Sequence, residues 1–304
     1  MDRVNKLLLL TTLLLLMLTG CLSQQGTEVP LKEYAIADLP TPVFNTPDFP
    51  AIFGGSDGKT LRSGKCGQVW ELEFVALPKT IFRVDETVKK GDIVVYKVAT
   101  DDYPSAKGLF IDSRFVKITK DKPLERPRPL PPQQKIIEHL ISTKGSAYVW
   151  GGNIRDGILE AISFYPPSSD INPELKDRWT LKGLDCSGLL YEATDGYTPR
   201  NTDALLDFGS AVQIAGLNVS QIIRKVNPLD LIVWTGHVII ILDKDRAIES
   251  RLDYDKKTPG CQGGVRIRSL KEVLEETLKF KMPVDEYNKV KGGENKFVIR
   301  RWSP

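Results

Sequence analysis

Histidine is scarce in this chain. Only His139 and His237 occur in 304 residues, so chemistry that needs an imidazole base has two candidates. Cysteine numbers four, at Cys21, Cys66, Cys186 and Cys261. No set of cysteine, histidine and acidic residues has metal-ligand spacing, so neither a metal nor a cofactor is expected. A surplus of one charge is lacking too: 42 basic and 39 acidic residues leave a net +3. No basic run interleaved with aromatics appears, which argues against a nucleic-acid partner. The one long apolar run, Leu7 to Leu18, is too short for a confident membrane span. What is present is 41% apolar residues, enough for real cores, and a length that suits two domains.

Residues 1–20 read as a targeting segment, with Arg3 and Lys6 ahead of an apolar run broken only by Thr11 and Thr12. Leu18-Thr19-Gly20-Cys21 resembles a bacterial lipobox. The resemblance implies cleavage before Cys21, a lipid on its sulfur, and a membrane-anchored lipoprotein of the bacterial cell envelope facing outside the cytoplasm. Residues 21–50 are polar, contain proline and show no clear period, and are expected to form a tether. Residues 51–120 change to short strand-like segments: Gln68 to Leu77, Ile81 to Val84, Ile93 to Val98 and Gly108 to Ile118. Lys90-Gly91-Asp92 and Gly108 to Val116 resemble the ends of a bacterial SH3-like β-barrel. Such a domain would target the cell wall, wall the active-site cleft, or act as a spacer. Residues 121–133 hold Pro123, Pro127, Pro129, Pro131 and Pro132, a stiff extended stretch and the best domain boundary.

Beyond it, Gln134 to Ser142 has a helical apolar side, with His139 read as a packing or surface residue. Tyr148-Val149-Trp150-Gly151-Gly152 reads as a short strand and turn. Residues 153–182 form a long segment of the kind found at the edge of a site. Gly183-Leu184-Asp185-Cys186-Ser187-Gly188 then predicts a turn into a helix, with Asp185 as its N-cap. A thiol in the first turn faces the positive end of the helix dipole, which favours the nucleophilic thiolate. Gly188 leaves room for a backbone or a substrate to approach. Some fifty residues later, His237 opens the apolar strand Val238 to Leu242 and can take the thiol proton. On the next strand Glu249 is the candidate to orient the imidazole. Strand alternation makes this conditional. A two-residue turn at Lys244-Asp245 would pair Glu249 with Ile240, on the wrong face. A three-residue turn at Asp243 to Asp245 pairs it with Ile239, on the face of His237. Leu270 to Leu278 predicts a helix and Lys296 to Trp302 a last strand.

These pieces, in this order, resemble the NlpC/P60 cell-wall cysteine peptidases: Tyr148 to Gly152, Asp185-Cys186-Ser187-Gly188, Pro199-Arg200, Pro228-Leu229-Asp230-Leu231 and Gly236-His237-Val238. The resemblance covers residues 134–304 and implies an α+β, papain-like domain after an SH3-like barrel. It implies cleavage of peptidoglycan stem peptides at the bond from D-γ-glutamate to the diamino acid. Cys186 would be the nucleophile, His237 the base, and Tyr148 a neighbour of the reacting carbonyl. Asp185 and Ser187 would hold a free stem amine, as in some members. The third catalytic position is commonly His, Asn or Gln, and here it is Glu249. An amidase or acyltransferase with the same pair, or an inactive wall-binding lipoprotein, are the rival readings. Cys66 and Cys261 could bridge the domains in an oxidising compartment. Nothing in their spacing links them, however, and they are expected to be unpaired.

Overall fold

The computed structural model describes residues 33–55, 57–253, 261–289 and 295–303. The signal segment, the lipobox and Cys21 lie outside the described residues. The first sheet starts earlier than the sequence suggests. β1 (Glu33–Ala37) and β2 (Thr41–Phe44) fall in the stretch expected to be a tether, and Ala35, Ala37, Val43 and Phe44 are buried. The reason is long range. β1 is too short to show a period, and its partners, β4 (Ile81–Lys90) and β7 (Val116–Thr119), lie far along the chain. Between them come β3 (Leu72–Ala76), β5 (Ile93–Ala99) and β6 (Leu109–Asp112).

β4 and β5 form a hairpin with Lys90 opposite Ile93, and Gly91 takes the positive φ that its two-residue turn needs. The expected strand Gly108 to Ile118 is broken by a turn at Ser113–Phe115, where the Asp112 carboxylate accepts from Arg114 N at 2.9 Å. The strand order is β3-β2-β6-β5-β4-β1-β7. Among the described residues the edge strands β3 and β7 do not pair, so the closed barrel expected of this region is not what the ladder shows. A side chain takes up the β3 edge instead. Asn153 Nδ2 donates to Val75 O at 2.8 Å, and Asn153 Oδ1 accepts from Val75 N at 2.9 Å.

The proline stretch holds no helix or strand until α1 (Gln133–Ser142) begins, yet the core crosses it. Residues 32–304 group as one compact unit. Phe44, Phe49, Ile52, Phe53, Leu72 and Phe115 pack with Ile158, Ala161, Tyr165, Trp179 and Leu181. The 153–182 segment is therefore the second half of a shared core, with α2 (Pro173–Trp179) delivering a fully buried Trp179. Cys66 and Cys261 are joined in a disulfide with Cα atoms 5.0 Å apart. This corrects the expectation that they are unpaired. The two residues are 195 positions apart, and spacing carries no information about contacts that the fold makes at such range.

A short antiparallel ladder, β8 (Asn153–Ile154) with β9 (Gly183–Leu184), follows, and the second sheet carries the rest. Its strands are β10 (Ser210–Ala211), β11 (Leu231–Trp234), β12 (His237–Ile241), β13 (Arg246–Asp253), β14 (Gln262–Ser269), β15 (Met282–Pro283) and β16 (Lys296–Arg301). They run in the order β10-β16-β11-β12-β13-β14, with β15 parallel to β16. Val238, Ile240 and Ile248 bury one face against α1 and α3 (Cys186–Ala193), through Ile136, Leu140, Leu189 and Leu190. Ile239, Ile241 and Ala247 bury the other against α4 (Leu270–Phe280), through Leu270, Val273 and Leu274. This mixed helix and strand arrangement puts the start of α3 beside the start of β12.

Candidate active site

Asp185 is the N-cap of α3, with extended backbone and a carboxylate that accepts from Gly188 N at 2.6 Å. One residue on, Cys186 occupies the first turn and is buried. Gly188 is obligatory because another backbone sits against it: a Cβ there would lie 2.0 Å from Gly152 O. That same carbonyl accepts from Asp185 N at 2.9 Å. The Gly152 turn and the thiol helix are thus locked together through backbone.

Asp185 is bound by Arg200 through two nitrogens, at 3.1 and 2.7 Å. Arg200 Nη1 also donates to Ser187 Oγ at 2.9 Å, and Arg200 Nε to Asn153 Oδ1 at 2.9 Å. Asp185, Ser187, Asn153 and Arg200 are all buried. A buried ion pair is tolerated only when its remaining donors and acceptors are met, and here they are. The structure therefore places Asp185 and Ser187 beside the thiol, but with the aspartate charge already answered by an arginine. Tyr103, in the loop between β5 and β6, lies near the same cluster. Its hydroxyl donates to Glu73 Oε2 at 3.0 Å. Burial, then Glu73, raise its pKa, with Arg200 opposing and Asp185 adding to the rise.

On the other side stands His237, partly buried, its side chain 13% exposed. Its Nε2 lies 2.8 Å from Glu249 Oε2, which leaves Nδ1 for Cys186. Burial alone would lower the imidazole pKa. Hydrogen bonds to Cys186 and then Glu249 outweigh it and raise the value from 6.5 to about 9. Glu249, 1% exposed, shows the converse. Burial raises its pKa, but the bond to His237, then Arg268 and Arg266, bring it down to about 2. Arg266 Nε and Arg268 Nη1 reach Glu249 Oε1 at 3.2 and 3.1 Å.

The register condition is met. Ile240 pairs with Ile248 and Ile241 with Ala247, and Leu242 N donates to Arg246 O at 2.9 Å. The loop is thus the three residues Asp243 to Asp245, a register that puts Glu249 on the strand face of Ile239 and His237. Tyr148 stands near the thiol. Burial foremost, then the Asp185 and Cys186 charges, raise its pKa and keep its hydroxyl protonated. The arrangement brings together a thiol, an imidazole and a carboxylate, with the imidazole hydrogen-bonded to the carboxylate, the groups that nucleophilic acyl transfer requires.

No family model and no curated protein matches this chain. Among solved structures it is similar to an NlpC/P60 family protein from Bacillus cereus ATCC 10987, at 15% identity and a TM-score of 0.32. That match covers 90% of this chain, which spans 64% of the other. It is also similar to RipD from Mycobacterium tuberculosis, described as a non-catalytic NlpC/p60 domain protein adapted to peptidoglycan binding. There the identity is 16% and the TM-score 0.30, with 56% of this chain and 95% of the other covered.

His139 lies outside this cluster. Its Nε2 is 3.0 Å from Glu192 Oε2 on the far turn of α3, a packing contact as expected. Ser250 turns away from the imidazole, its Oγ donating to Leu184 O at 2.6 Å. The residues missed by sequence reasoning are Asn153, Tyr103, Arg266 and Arg268. Arg200 was noted only within a motif. For Arg266 and Arg268 a signal existed. Alternation in Val265-Arg266-Ile267-Arg268 puts both arginines on one face of a strand, where they need a buried anion.

Proposed function

We propose that this chain is a cysteine endopeptidase that hydrolyses peptidoglycan stem peptides at the D-γ-glutamyl–diamino acid bond, anchored to the bacterial envelope by a lipid on Cys21. The observation that carries the reading is His237, bonded to Glu249 at 2.8 Å, beside Cys186 at the start of α3. In the first half-reaction, His237 Nδ1 takes the thiol proton and the sulfur attacks the scissile carbonyl carbon. The resulting imidazolium is held by Glu249 and gives its proton to the leaving nitrogen as the carbon–nitrogen bond breaks. In the second, His237 takes a proton from water, which attacks the thioester and returns Cys186 as a thiol. The substrate class and the bond come from the family resemblance. The roles of nucleophile, base and orienting group are supported by the place of Cys186 in the first turn of α3 and by the His237–Glu249 bond.

The test is mass spectrometry of muropeptides digested with the wild-type protein and with Cys186→Ala. The expected outcome is stem fragments split after the glutamate, absent with the variant. Whole stems released from sugar would make the protein an amidase. Binding without any cleavage would make it a wall-binding protein.

A further inference from the structure

β11 and β12 are joined by a two-residue turn, Thr235–Gly236, which sets Trp234 directly opposite His237. The turn is held from two sides. Tyr287 Oη lies 3.1 Å from Thr235 Oγ1. Gly236 N donates at 3.2 Å to the hydroxyl of Thr202, the first residue of the short helix Thr202–Leu205. The cross-strand pair is therefore fixed at its base. Its two rings meet, with centroids 5.0 Å apart and planes tilted by 47°, inside the range of direct aromatic contact. Trp234 itself packs against the apolar clusters on both faces of the second sheet.

The bond from Nε2 to Glu249 fixes one atom of the imidazole. The ring can still turn about that bond, and such a turn carries Nδ1 off the thiol. A second contact, from a neighbour that cannot move, removes this freedom. Water is close as well. A cavity of about 400 Å³ reaches His237, with Trp234 in its lining. The imidazole side chain is 13% exposed and the Glu249 side chain 1%, so solvent meets the ring and stops short of the carboxylate. Cys186 on α3 and Glu249 on β13 face the imidazole directly, with Arg266 and Arg268 on β14 behind the glutamate. Tyr148, Arg251, Glu276 on α4 and Lys281 just after it line the cavity alongside. Among these polar groups Trp234 is the apolar ring, with Lys281 Nζ 5.1 Å from its centre.

We propose that Trp234 is a positioning residue for the base: its indole holds the imidazole in the plane that joins Glu249 to Cys186 and keeps cavity water off the His237–Glu249 bond. The inference rests on the reading of His237 as the base. Water admitted to the pair weakens burial and pairing alike. Pairing is the larger of the two, because the ring's pKa stands above its ordinary value. Losing the indole therefore brings that pKa down.

Two measurements on the full chain test this. The first is NMR, with His139, the other histidine, as a reference outside the site. In the wild-type chain the proton between His237 Nε2 and Glu249 should exchange slowly with water. In Trp234→Leu it should exchange quickly, and the His237 midpoint should fall toward 6.5 with His139 unmoved. Trp234→Phe should keep most of both properties. The second measurement is hydrolysis of a stem peptide. Trp234→Leu should lower kcat up to about tenfold, the worth of one aromatic pair, with KM little changed, and Trp234→Phe should retain most of the rate. An unmoved His237 midpoint overturns the inference, as does a loss confined to KM, which marks a substrate contact instead. Fast exchange in the wild-type chain overturns it too, and reads it even where the leucine variant does not fold. If no chain cleaves the peptide while the NMR differences hold, the hydrolase reading fails and the positioning stands.

Discussion

Asp185 and Glu249 are both buried carboxylates held by arginine, one at each end of the site, and they govern different things. Asp185 acts on architecture. It caps the thiol helix, and through Arg200 and Asn153 it joins that helix to the edge of the first sheet. Glu249 acts on charge. It touches the imidazole directly and keeps it in the protonated range, while Arg266 and Arg268 hold the carboxylate in place. Two carboxylates with similar burial and similar partners thus serve stability at one end and protonation at the other. What separates them is whether the third partner is a backbone and neighbouring elements, or a titrating ring.

The contrast can be broken from the Asp185 side most severely. Arg200→Met should destabilise the fold by about 3–5 kcal/mol, because it leaves a carboxylate buried without its cation. Urea unfolding of the purified variant measures this. A loss below about 1 kcal/mol would show that Asp185 is solvated through another route.

Next comes the disulfide, which ties the loop before β3 to the chain just ahead of β14, on the histidine side. Replacing both Cys66 and Cys261 with serine should cost about 2–4 kcal/mol, since the closed loop is long. Calorimetry should find a lower Tm in the double variant.

The smallest stability effect and the largest functional one are expected at Glu249. Glu249→Ala should lose about 1–3 kcal/mol of transition-state stabilisation, read from kcat/KM. Arg266 and Arg268 retain Asp253 and Glu276 as partners, so the fold survives. The sign of the pH effect follows from the shifts. His237 is raised from 6.5 to about 9, so its stabilising contribution is full below pH 6.5 and fades as the pH climbs through 9. Glu249 is lowered from 4.5 to about 2, so its share is full above pH 4.5 and fades as the pH falls through 2. The pair therefore contributes fully between those limits, pH 4.5 to 6.5. An NMR titration of the His237 ring should find its midpoint well above 6.5 and lower in Glu249→Gln. An unchanged midpoint in that variant would remove Glu249 from its role.

The two ends were also unequally legible in the sequence. Asp185, Cys186 and Gly188 are adjacent, and capping is a local rule, so the nucleophile's setting could be read directly. For Glu249, alternation reduced the question to the parity of one turn, and the three-residue loop answers it. What stayed hidden is nonlocal. Arg200 meets Asn153 and Asp185 only after the chain has folded back, and Cys66 meets Cys261 across most of its length. β1 and β2 pass for a tether because strands of four or five residues need partners to be recognised. The barrel expectation failed at one edge, where Asn153 supplies from outside the sheet the bonds that a closing strand would have made.

The shared core around Trp179 sets an order of events during synthesis. The first sheet leaves the ribosome early, with Phe44, Phe49, Ile52 and Phe53 made and no Ile158, Tyr165 or Trp179 yet available to cover them. Until the chain as far as Leu181 has emerged, that half-built core stays open to misassociation. Chain elongation rate and chaperone supply, rather than the strength of any finished contact, then decide how much of the protein reaches its native state.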